Sequence, residues 1–277
     1  MASENYRKKI LKLLIGDFSF QRIIKSFLFI YCSVGLYLFF FADQLIFIPS
    51  SSSYSNNDNI LKLTTANKNQ IATRYLPNPQ ADYIILYVHG NAEDLGEIEF
   101  RLQQLHQQGF ALFAYDYPGY GNSTGKPTEK NVYLAINAVY NYLIKTLNIP
   151  PNKIIVYGRS VGGGSALKLA ANYPVAGVIL ESTFTTPFRV VIPFPIFPFE
   201  KFDNIKNIKQ INCPILIMHG KQDSIIPFSH SQKLFQIASL PKLSFWVDEA
   251  NHNNLPEIAG DRYWQQLKEF ISLIEQS

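Results

Sequence analysis

The sequence predicts an α/β domain built on a mostly parallel sheet and preceded by one transmembrane helix. From Tyr83 onward, short apolar runs alternate with segments of helical period, which is typical of a parallel sheet covered by helices on both faces. The chain has 277 residues, of which 47% are hydrophobic, enough for one large core. Residues 26–42 read SFLFIYCSVGLYLFFFA, without a charge or a proline, and this stretch predicts the helix.

The apolar stretch is near the lower limit of the ~17–25 residues that span a bilayer as a helix. Ile23 and Ile24 can extend it at one end, and apolar residues resume after Asp43 at the other. We therefore predict an anchor over residues 26–48. A buried core helix and a cleaved signal peptide stay open as alternatives, although Phe40 stands where signal peptidase prefers a small residue.

Charge and cysteine content limit the partners. Basic residues crowd the N-terminal side of the anchor, which by the positive-inside rule puts residues 1–25 in the cytoplasm and the main domain on the non-cytoplasmic side. The net charge of +4 is mild and no basic patch is interleaved with exposed aromatics, so nucleic acid is not expected as a partner. Cys32 and Cys213 predict neither a disulfide framework nor a metal site.

The globular domain is predicted over residues 60–277, after a polar linker at 49–59 that includes SSSSYSNNDN. ILKLTT and IATRYL alternate as hairpin strands do. Six further apolar runs predict the strands that follow: YIILYVHG, FALFAYDY, KIIVYG, AGVILE, PILIMHG and LSFWVDE. Helices are predicted between and after these strands at Asp94–Gln108, Thr128–Leu147, Val161–Asn172, Ser229–Ala238 and Asp261–Glu275.

The stretch YGRSVGGG places Ser160 between two glycines, directly after a strand and before a helix. This is the pattern G-x-S-x-G, in which the glycines permit a tight turn that exposes the serine hydroxyl as a nucleophile. The motif alone is weak, because two glycines and a serine at this spacing arise often by chance, and a helix N-cap is an alternative role for Ser160. The rest of the chain therefore has to supply an acid, a base and an oxyanion hole.

An acid and then a histidine are expected after such a serine. Asp223 lies in the loop after PILIMHG, and His252 lies in the loop after LSFWVDE. The carboxyl ends of parallel strands meet at one edge of a sheet, so both loops are predicted to lie near Ser160. The histidine would take the serine proton, and the carboxylate would orient the imidazole. Asp248 and Glu249 are rival acids, but they follow the wrong strand for the usual order.

The oxyanion hole is predicted at two backbone N–H groups, those of Val161 after the nucleophile and of Asn91 in the loop after YIILYVHG. His89 and His219 each precede a glycine at a strand end and are predicted to hold loops by hydrogen bonds. For Asp223, the role of a plain turn residue stays open as an alternative.

Three residues outside this constellation receive structural predictions. His106 and His230 are expected on helix surfaces, and Asp116 is interpreted as a structural loop residue. His252 could itself be a plain surface histidine. These predictions leave the serine, acid and histidine as the candidates for chemistry.

Six motifs in this order resemble the α/β-hydrolase superfamily over nearly all of residues 60–276, and more narrowly its membrane-anchored branch, sometimes labelled serine aminopeptidase-like. The motifs are VHGNAEDLG, YDYPGYGNSTGKPTE, YGRSVGGG, ILESTF, PILIMHGKQDSIIP and ANHNN. The resemblance implies an α/β-hydrolase fold with an eight-stranded type of sheet and a hydrolase with Ser160, Asp223 and His252 as its triad, with no cofactor and no metal. It also implies that some relatives remove fatty acyl groups from cysteines of membrane proteins.

The segment between ILEST and CPILIMHG is short for a cap domain, so a large helical lid is not expected. Its first part, residues 184–200, is rich in Phe and Pro. It could form an apolar rim for an acyl chain, rest on a membrane surface, or simply pack on the core.

The sequence as a whole predicts cleavage of an ester or thioester through an acyl-serine. The substrate would be a small or lipid-like acyl compound, or an acylated protein. A peptidase or amidase stays open, and it would need carboxylates for a free amine, for which Glu93, Asp94, Glu97 and Glu99 are the nearest candidates. A non-catalytic, membrane-anchored binding protein with this fold also stays open. The oligomeric state is not predicted.

Overall fold

The computed structural model describes residues 19–49, 51–55 and 59–277. Most of the predicted cytoplasmic segment therefore lies outside the described residues. The chain divides into two compact units, the first ending at Ala42 and the second spanning Asp43–Ser277.

The first unit consists, as far as it is described, of one long helix, α1 (Phe20–Ile46), whose last residues belong to the second unit. The helix has 27 residues, and an 18-residue window within it has a mean hydropathy of 1.9. Large apolar side chains such as Phe27, Phe29 and Phe40 are exposed. By length and composition this helix could cross a membrane, and among the described residues it is the one helix that could.

The second unit is built on an eight-stranded sheet. Its strands are β1 (Ile60–Thr64), β2 (Gln70–Leu76), β3 (Ile84–Val88), β4 (Ala111–Tyr115), β5 (Ile154–Arg159), β6 (Gly177–Glu181), β7 (Ile215–Gly220) and β8 (Lys242–Val247). Their spatial order is β1-β2-β4-β3-β5-β6-β7-β8. β2 pairs antiparallel with β1 and β4, and all other pairs are parallel. The predicted mostly parallel fold is confirmed.

Helices cover both faces of this sheet. They are α2 (Glu99–Gln107), α3 (Glu129–Lys145), α4 (Gly162–Ala170), α5 (Pro187–Val191), α6 (Asn204–Ile208), α7 (Ser229–Ile237), α8 (Leu255–Ala259) and α9 (Asp261–Glu275). In β5, Ile154 and Val156 pack on one face with α3 and α4, while Ile155 and Tyr157 pack on the other with α2 and α9. Both faces of the central strands are buried, which is why these strands are continuously apolar.

Element ends follow local signals. The predicted bounds of α9 match the structure, and Thr128 caps α3 by accepting a hydrogen bond from the N–H of Asn131 at 3.2 Å. α2 begins at Glu99 rather than at the predicted Asp94. The side chain of Asp94 instead accepts hydrogen bonds from the N–H groups of Gly96 and Glu97, which favours a turn there.

The segment between β6 and β7 holds two five-residue helices, α5 and α6, and no large lid. Its prolines interrupt the backbone hydrogen bonding that a longer helix needs. The expected short cap is confirmed.

Candidate active site

Ser160 lies at the tight turn between β5 and α4. Its backbone has φ +52°, in the left-handed region that L-residues rarely adopt, and strain of this kind clusters at functional sites. A Cβ added to Gly158 would lie 2.6 Å from the Cα of Gly163. A Cβ added to Gly162 would lie 2.2 Å from the carbonyl oxygen of Val88. The turn therefore requires glycine on both sides of the serine.

The three side chains proposed for the triad converge at the carboxyl edge of the sheet. The Nε2 atom of His252 lies 3.0 Å from the Oγ of Ser160. The Nδ1 atom of the same ring lies 2.7 Å from the Oδ2 of Asp223. Of the rival acids, Asp248 pairs instead with Lys221 at the surface, at 2.5 Å. The chain thus places a hydroxyl, an imidazole and a carboxylate in a continuous hydrogen-bonded line.

Asp223 is held as a carboxylate. Its Oδ1 accepts hydrogen bonds from the N–H groups of Ile225 and Ile226, at 2.9 and 2.8 Å. Its Oδ2 lies 3.1 Å from the Nε2 of His219 in addition to its contact with His252. Burial alone would raise the pKa of Asp223, but the bonds from His219 and His252 outweigh it and hold the pKa well below its usual range.

Asn91 and Val161 lie where the oxyanion donors were predicted. Val161 has helical φ and ψ and directly precedes α4, while Asn91 lies in the loop after β3. Among the described residues, neither backbone N–H donates a hydrogen bond to another protein group. An oxyanion hole requires N–H donors that the protein leaves unpaired, so both groups keep their predicted role as a hypothesis.

Arg159, which no sequence motif marks as functional, contacts two loops of the site. The guanidinium is buried, and its Nη1 lies 2.5 Å from the Oε1 of Glu93. Its Nη2 donates to the Oδ1 of Asn253 at 2.6 Å and to the carbonyl oxygen of His252 at 3.4 Å. The other oxygen of Glu93 accepts from the N–H of Gly90 at 2.7 Å. One side chain therefore ties the loop of Asn91 to the loop of His252.

The loop after β3 and Asp116 also bind residues of the predicted linker. The N–H of Ser53 donates to the Oδ2 of Asp94 at 2.6 Å, and the hydroxyl of Tyr54 donates to Asp116. Asp116 in turn accepts from the N–H of Leu95 at 2.8 Å. Burial raises the pKa of Asp116 to about 7. Part of the segment predicted as a linker thus packs against the domain and contacts the loop after β3.

The remaining histidines have structural contacts. His89 is fully buried and its Nδ1 lies 2.7 Å from the carbonyl oxygen of Gly90, and burial lowers its pKa. His219 lies 2.9 Å from the carbonyl oxygen of Ile226. The expectation that His230 lies on a helix surface is wrong: it is buried, and its Nδ1 lies 2.9 Å from the hydroxyl oxygen of Thr185. The helical pattern alone did not reveal that the short cap covers this face of α7.

The Phe/Pro-rich segment leaves apolar side chains in contact with solvent. Val191 is 82% exposed and Phe194 is 61% exposed. The rings of Phe188 and Phe199 pack edge to face at 5.9 Å, and Arg189 and Glu200 form an ion pair of 3.1 Å within the segment. No group of three metal-ligating side chains converges anywhere in the described ranges.

Comparison with known proteins places this geometry in a family. A family model described as serine aminopeptidase, S33 matches residues 79–198. Human α/β-hydrolase domain-containing protein 17B is 41% identical over 212 residues, which cover 75% of this chain and 73% of that protein. The mouse protein 17C is 35% identical over 212 residues, covering 75% of this chain and 66% of that protein.

Solved structures show the same fold at low identity. The Pyrococcus furiosus esterase Pf2001 has a TM-score of 0.66 at 16% identity, covering 82% of this chain and 98% of its own. Est1E from Butyrivibrio proteoclasticus, solved with ferulic acid bound, has a TM-score of 0.64 at 19% identity, covering 76% of this chain and 99% of its own. The chain belongs to the α/β-hydrolase superfamily, in the family of α/β-hydrolase domain-containing protein 17, and is a hydrolase.

Proposed function

We propose that this chain is a membrane-anchored serine hydrolase that cleaves carboxylic ester or thioester bonds, including those of fatty acyl groups. The observation that carries the proposal is the line from the Oγ of Ser160 through His252 to Asp223, with distances of 3.0 and 2.7 Å. No cofactor enters the reaction.

In the first half of the reaction, the Oγ of Ser160 attacks the carbonyl carbon while its proton passes to the Nε2 of His252. The carbonyl electron pair moves onto the oxygen, where the N–H groups of Asn91 and Val161 stabilise the charge. When the tetrahedral intermediate collapses, the bond to the leaving oxygen or sulfur breaks. The leaving group takes the proton from His252, and the acyl group stays on the serine.

The second half repeats these steps with water. His252 removes a proton from the water as its oxygen attacks the acyl carbon. Collapse of the second intermediate returns the proton to Ser160 and releases the carboxylic acid. Asp223 stays ionised throughout, because hydrogen bonds to its carboxylate hold its pKa low despite burial. It can therefore stabilise the imidazolium at every stage.

An apolar acyl group suits this molecule. The exposed Val191 and Phe194 offer an apolar surface on the cap. The helix α1 would hold the enzyme in the membrane where fatty acyl substrates are found. We propose a single span with the catalytic domain on the non-cytoplasmic side. Protection of the domain from added protease in intact vesicles is the expected result, and cleavage there would reverse the orientation.

A peptidase is the second candidate, because the matching family model is described as a serine aminopeptidase. Such an enzyme needs carboxylates for a free amine. Glu93 pairs with Arg159 at 2.5 Å, and Glu99 pairs with Arg74 at 3.2 Å. Asp94 accepts from backbone N–H groups, as described above. The carboxylates nearest the oxyanion loop are thus engaged, which favours esters and thioesters.

The test uses the full chain in detergent micelles. Hydrolysis of p-nitrophenyl esters of increasing acyl length is measured for the wild type, Ser160→Ala and Ser165→Ala, a matched buried serine in α4. We expect the rate to fall by at least ~10³-fold in Ser160→Ala and to stay within twofold in Ser165→Ala. Labelling of the wild type, but not of Ser160→Ala, by a fluorophosphonate would also identify Ser160 as the nucleophile.

Aminoacyl p-nitroanilides in the same assay decide between the candidates. Faster cleavage of the anilides than of the esters would favour the peptidase. Equal background rates in wild type and Ser160→Ala, with no label, would favour the non-catalytic binding protein.

A further inference from the structure

The first residues of the second unit pack closely on the rest of that unit. Asp43–Ile48 comprises the last turn of α1 and the two residues after it. Phe47 is only 4% exposed. Its ring centroid lies 5.8 Å from that of Phe202, 6.1 Å from that of Tyr117 and 6.3 Å from that of Tyr120. We call residues 43–48 the junction segment.

Both polar atoms of the Asn91 carboxamide bind the backbone of the junction segment. Its Nδ2 donates to the carbonyl oxygen of Ile46 at 2.7 Å, and its Oδ1 accepts from the N–H of Ile48 at 3.0 Å. The hydroxyl of Tyr120 lies 2.6 Å from the same Oδ1 and accepts from the N–H of Ile48 at 2.9 Å. The carboxamide therefore pairs with the segment as a neighbouring strand would.

The junction segment is also fixed at its start. The Oδ1 of Asp43 accepts from the N–H of Glu129 at 3.2 Å, and its Oδ2 pairs with Lys201 at 3.1 Å. The Oε1 of Glu129 accepts from the N–H of Phe202 at 2.6 Å, and Phe202 contacts Phe47. Polar contacts at Asp43 and aromatic contacts at Phe47 thus hold the segment in one register.

These contacts bear on the orientation of the Gly90–Asn91 peptide. The carbonyl oxygen of Gly90 lies 2.7 Å from the Nδ1 of His89, and the N–H of Asn91 is on the opposite side of the same planar unit. Beyond Asn91, Ala92 has φ +56°, a conformation that persists only where the surroundings enforce it. The N–H of Ala92 donates to the Oδ1 of Asn91 at 3.1 Å.

We infer that the junction segment is a working part of the catalytic centre, in which Ile46 and Ile48, through the side chain of Asn91, hold the backbone N–H of Asn91 in its donor direction. Asn91 touches the reacting oxygen through its backbone, and Phe47 and Tyr120 are positioning residues. The inference rests on the proposed function, which makes that N–H an oxyanion donor. It means that the chain leaving the anchor completes the active site.

The first test is Asn91→Ala in the full chain, which keeps the backbone N–H and removes the carboxamide. Misplacement by about 1 Å of a group that acts in the transition state can cost ~10²-fold, so we expect kcat for p-nitrophenyl butyrate to fall by ~10²-fold while KM stays within twofold. Tyr120→Phe, which removes one hydroxyl and keeps the ring, should lower kcat by ~10-fold. The Tyr120→Phe variant keeps the inference testable if Asn91→Ala does not fold.

Matched controls separate positioning from loss of stability. Asn78→Ala removes a carboxamide that donates to the carbonyl oxygen of Gly109 at 2.9 Å, outside the site. Phe270→Ala empties an equally buried ring site in the core that contains α2 and α9. Both controls should keep kcat within twofold once folded protein is counted. Phe47→Ala should lower kcat by ~10-fold, and combining it with Asn91→Ala should lower kcat no further, because both act through one contact.

Two results would overturn the inference. One is kcat within twofold of wild type in Asn91→Ala and Tyr120→Phe. The other is a rise in KM at constant kcat, since this would assign the segment to substrate binding alone. Loss of activity in Ser160→Ala, measured in the same assay, keeps this outcome distinct from a failure of the proposed function.

Discussion

The loop that carries Asp223 is held mostly by its own neighbours, whereas the loop that carries Asn91 is held by distant parts of the chain. Asp223 bonds to Ile225 and Ile226, two and three residues further on. Asn91 bonds to Ile48, which is 43 positions away. One half of the candidate site is thus encoded locally, and the other is assembled only when separate segments pack together.

Each half contains a buried aspartate, and the pKa values of the two carboxyl groups shift in opposite directions. Burial would raise the pKa of both, but N–H donors directed at Asp223 reverse the effect and lower its pKa. For Asp116, below the oxyanion loop, burial prevails and raises the pKa to about 7. Both carboxylates accept hydrogen bonds, but those at Asp223 include two imidazoles and outweigh burial, whereas those at Asp116, from Tyr54 and Leu95, do not.

Asp223→Asn should produce the largest effect, because it removes the charge from the locally encoded half. We expect kcat to fall by ~10³–10⁴-fold, since the imidazole would lose the partner that sets its tautomer. Asp248→Asn is the matched control, as this rival acid pairs with Lys221 at the surface. A larger loss in the control would move the acid role to Asp248.

Gly162→Ala tests the point where the halves meet. The added methyl group would lie 2.2 Å from the carbonyl oxygen of Val88 and 2.7 Å from that of His89, so the serine turn and the end of β3 must separate. We expect activity to fall by ~10²-fold and the free energy of unfolding to fall by about 1–3 kcal/mol. In Gly109→Ala no atom lies within 4 Å, but the φ of +99° strains an alanine, so the free energy of unfolding should fall while the folded protein keeps its activity. Urea unfolding and ester hydrolysis measure both quantities.

Arg159→Lys asks whether the bridge between the halves depends on charge or on shape. A lysine keeps one positive charge but cannot contact Glu93 and Asn253 together through a planar fork. We expect kcat to fall by ~10-fold with little change in KM. Arg159→Met should also lower the free energy of unfolding by about 3–5 kcal/mol, because Glu93 and Glu181 would lose a buried partner. Equal kcat values for Arg159→Lys and wild type would show that charge alone suffices.

Acid stability tests Asp223. Its folded pKa lies below the ~3.9 of an unfolded aspartate, so the unfolded state takes up the proton first as the pH falls. Its contribution to stability is therefore complete above about pH 4 and is lost below it. His219→Gln should raise the folded pKa towards the unfolded value and so reduce the stability lost below about pH 4, measured by urea unfolding between about pH 2 and pH 7. An unchanged profile would show that the contact with His219 does not support the carboxylate.

Asp116 should behave in the opposite sense. Its folded pKa of about 7 exceeds the unfolded value, so the stability it contributes is complete below about pH 4 and is lost as the pH rises to 7. In Asp116→Asn this decline should disappear. Urea unfolding between pH 4 and 8 measures it, and a persisting decline would assign it to another group.

Much of the fold followed from the sequence because its signals are local. The apolar runs gave the central strands, and the glycines around Ser160 gave the turn. Arg159 was missed because nothing near it in the chain marks its partners, and its contact with Asn253 spans 94 positions. The burial of His230 was missed for the same reason. The catalytic roles of Ser160, Asp223 and His252 stay predictions until the assays are made.

The sequence by itself determined which elements form and which side chains follow the strand ends, since these depend on period, glycine and chain order. Only the tertiary structure decided how the loop that carries Asn91 is held. The contacts of Asn91 with Ile46 and Ile48, and of Tyr54 with Asp116, join segments that share no local pattern. Such contacts form where packing of the whole domain brings polar groups together and burial leaves each of them in need of a partner.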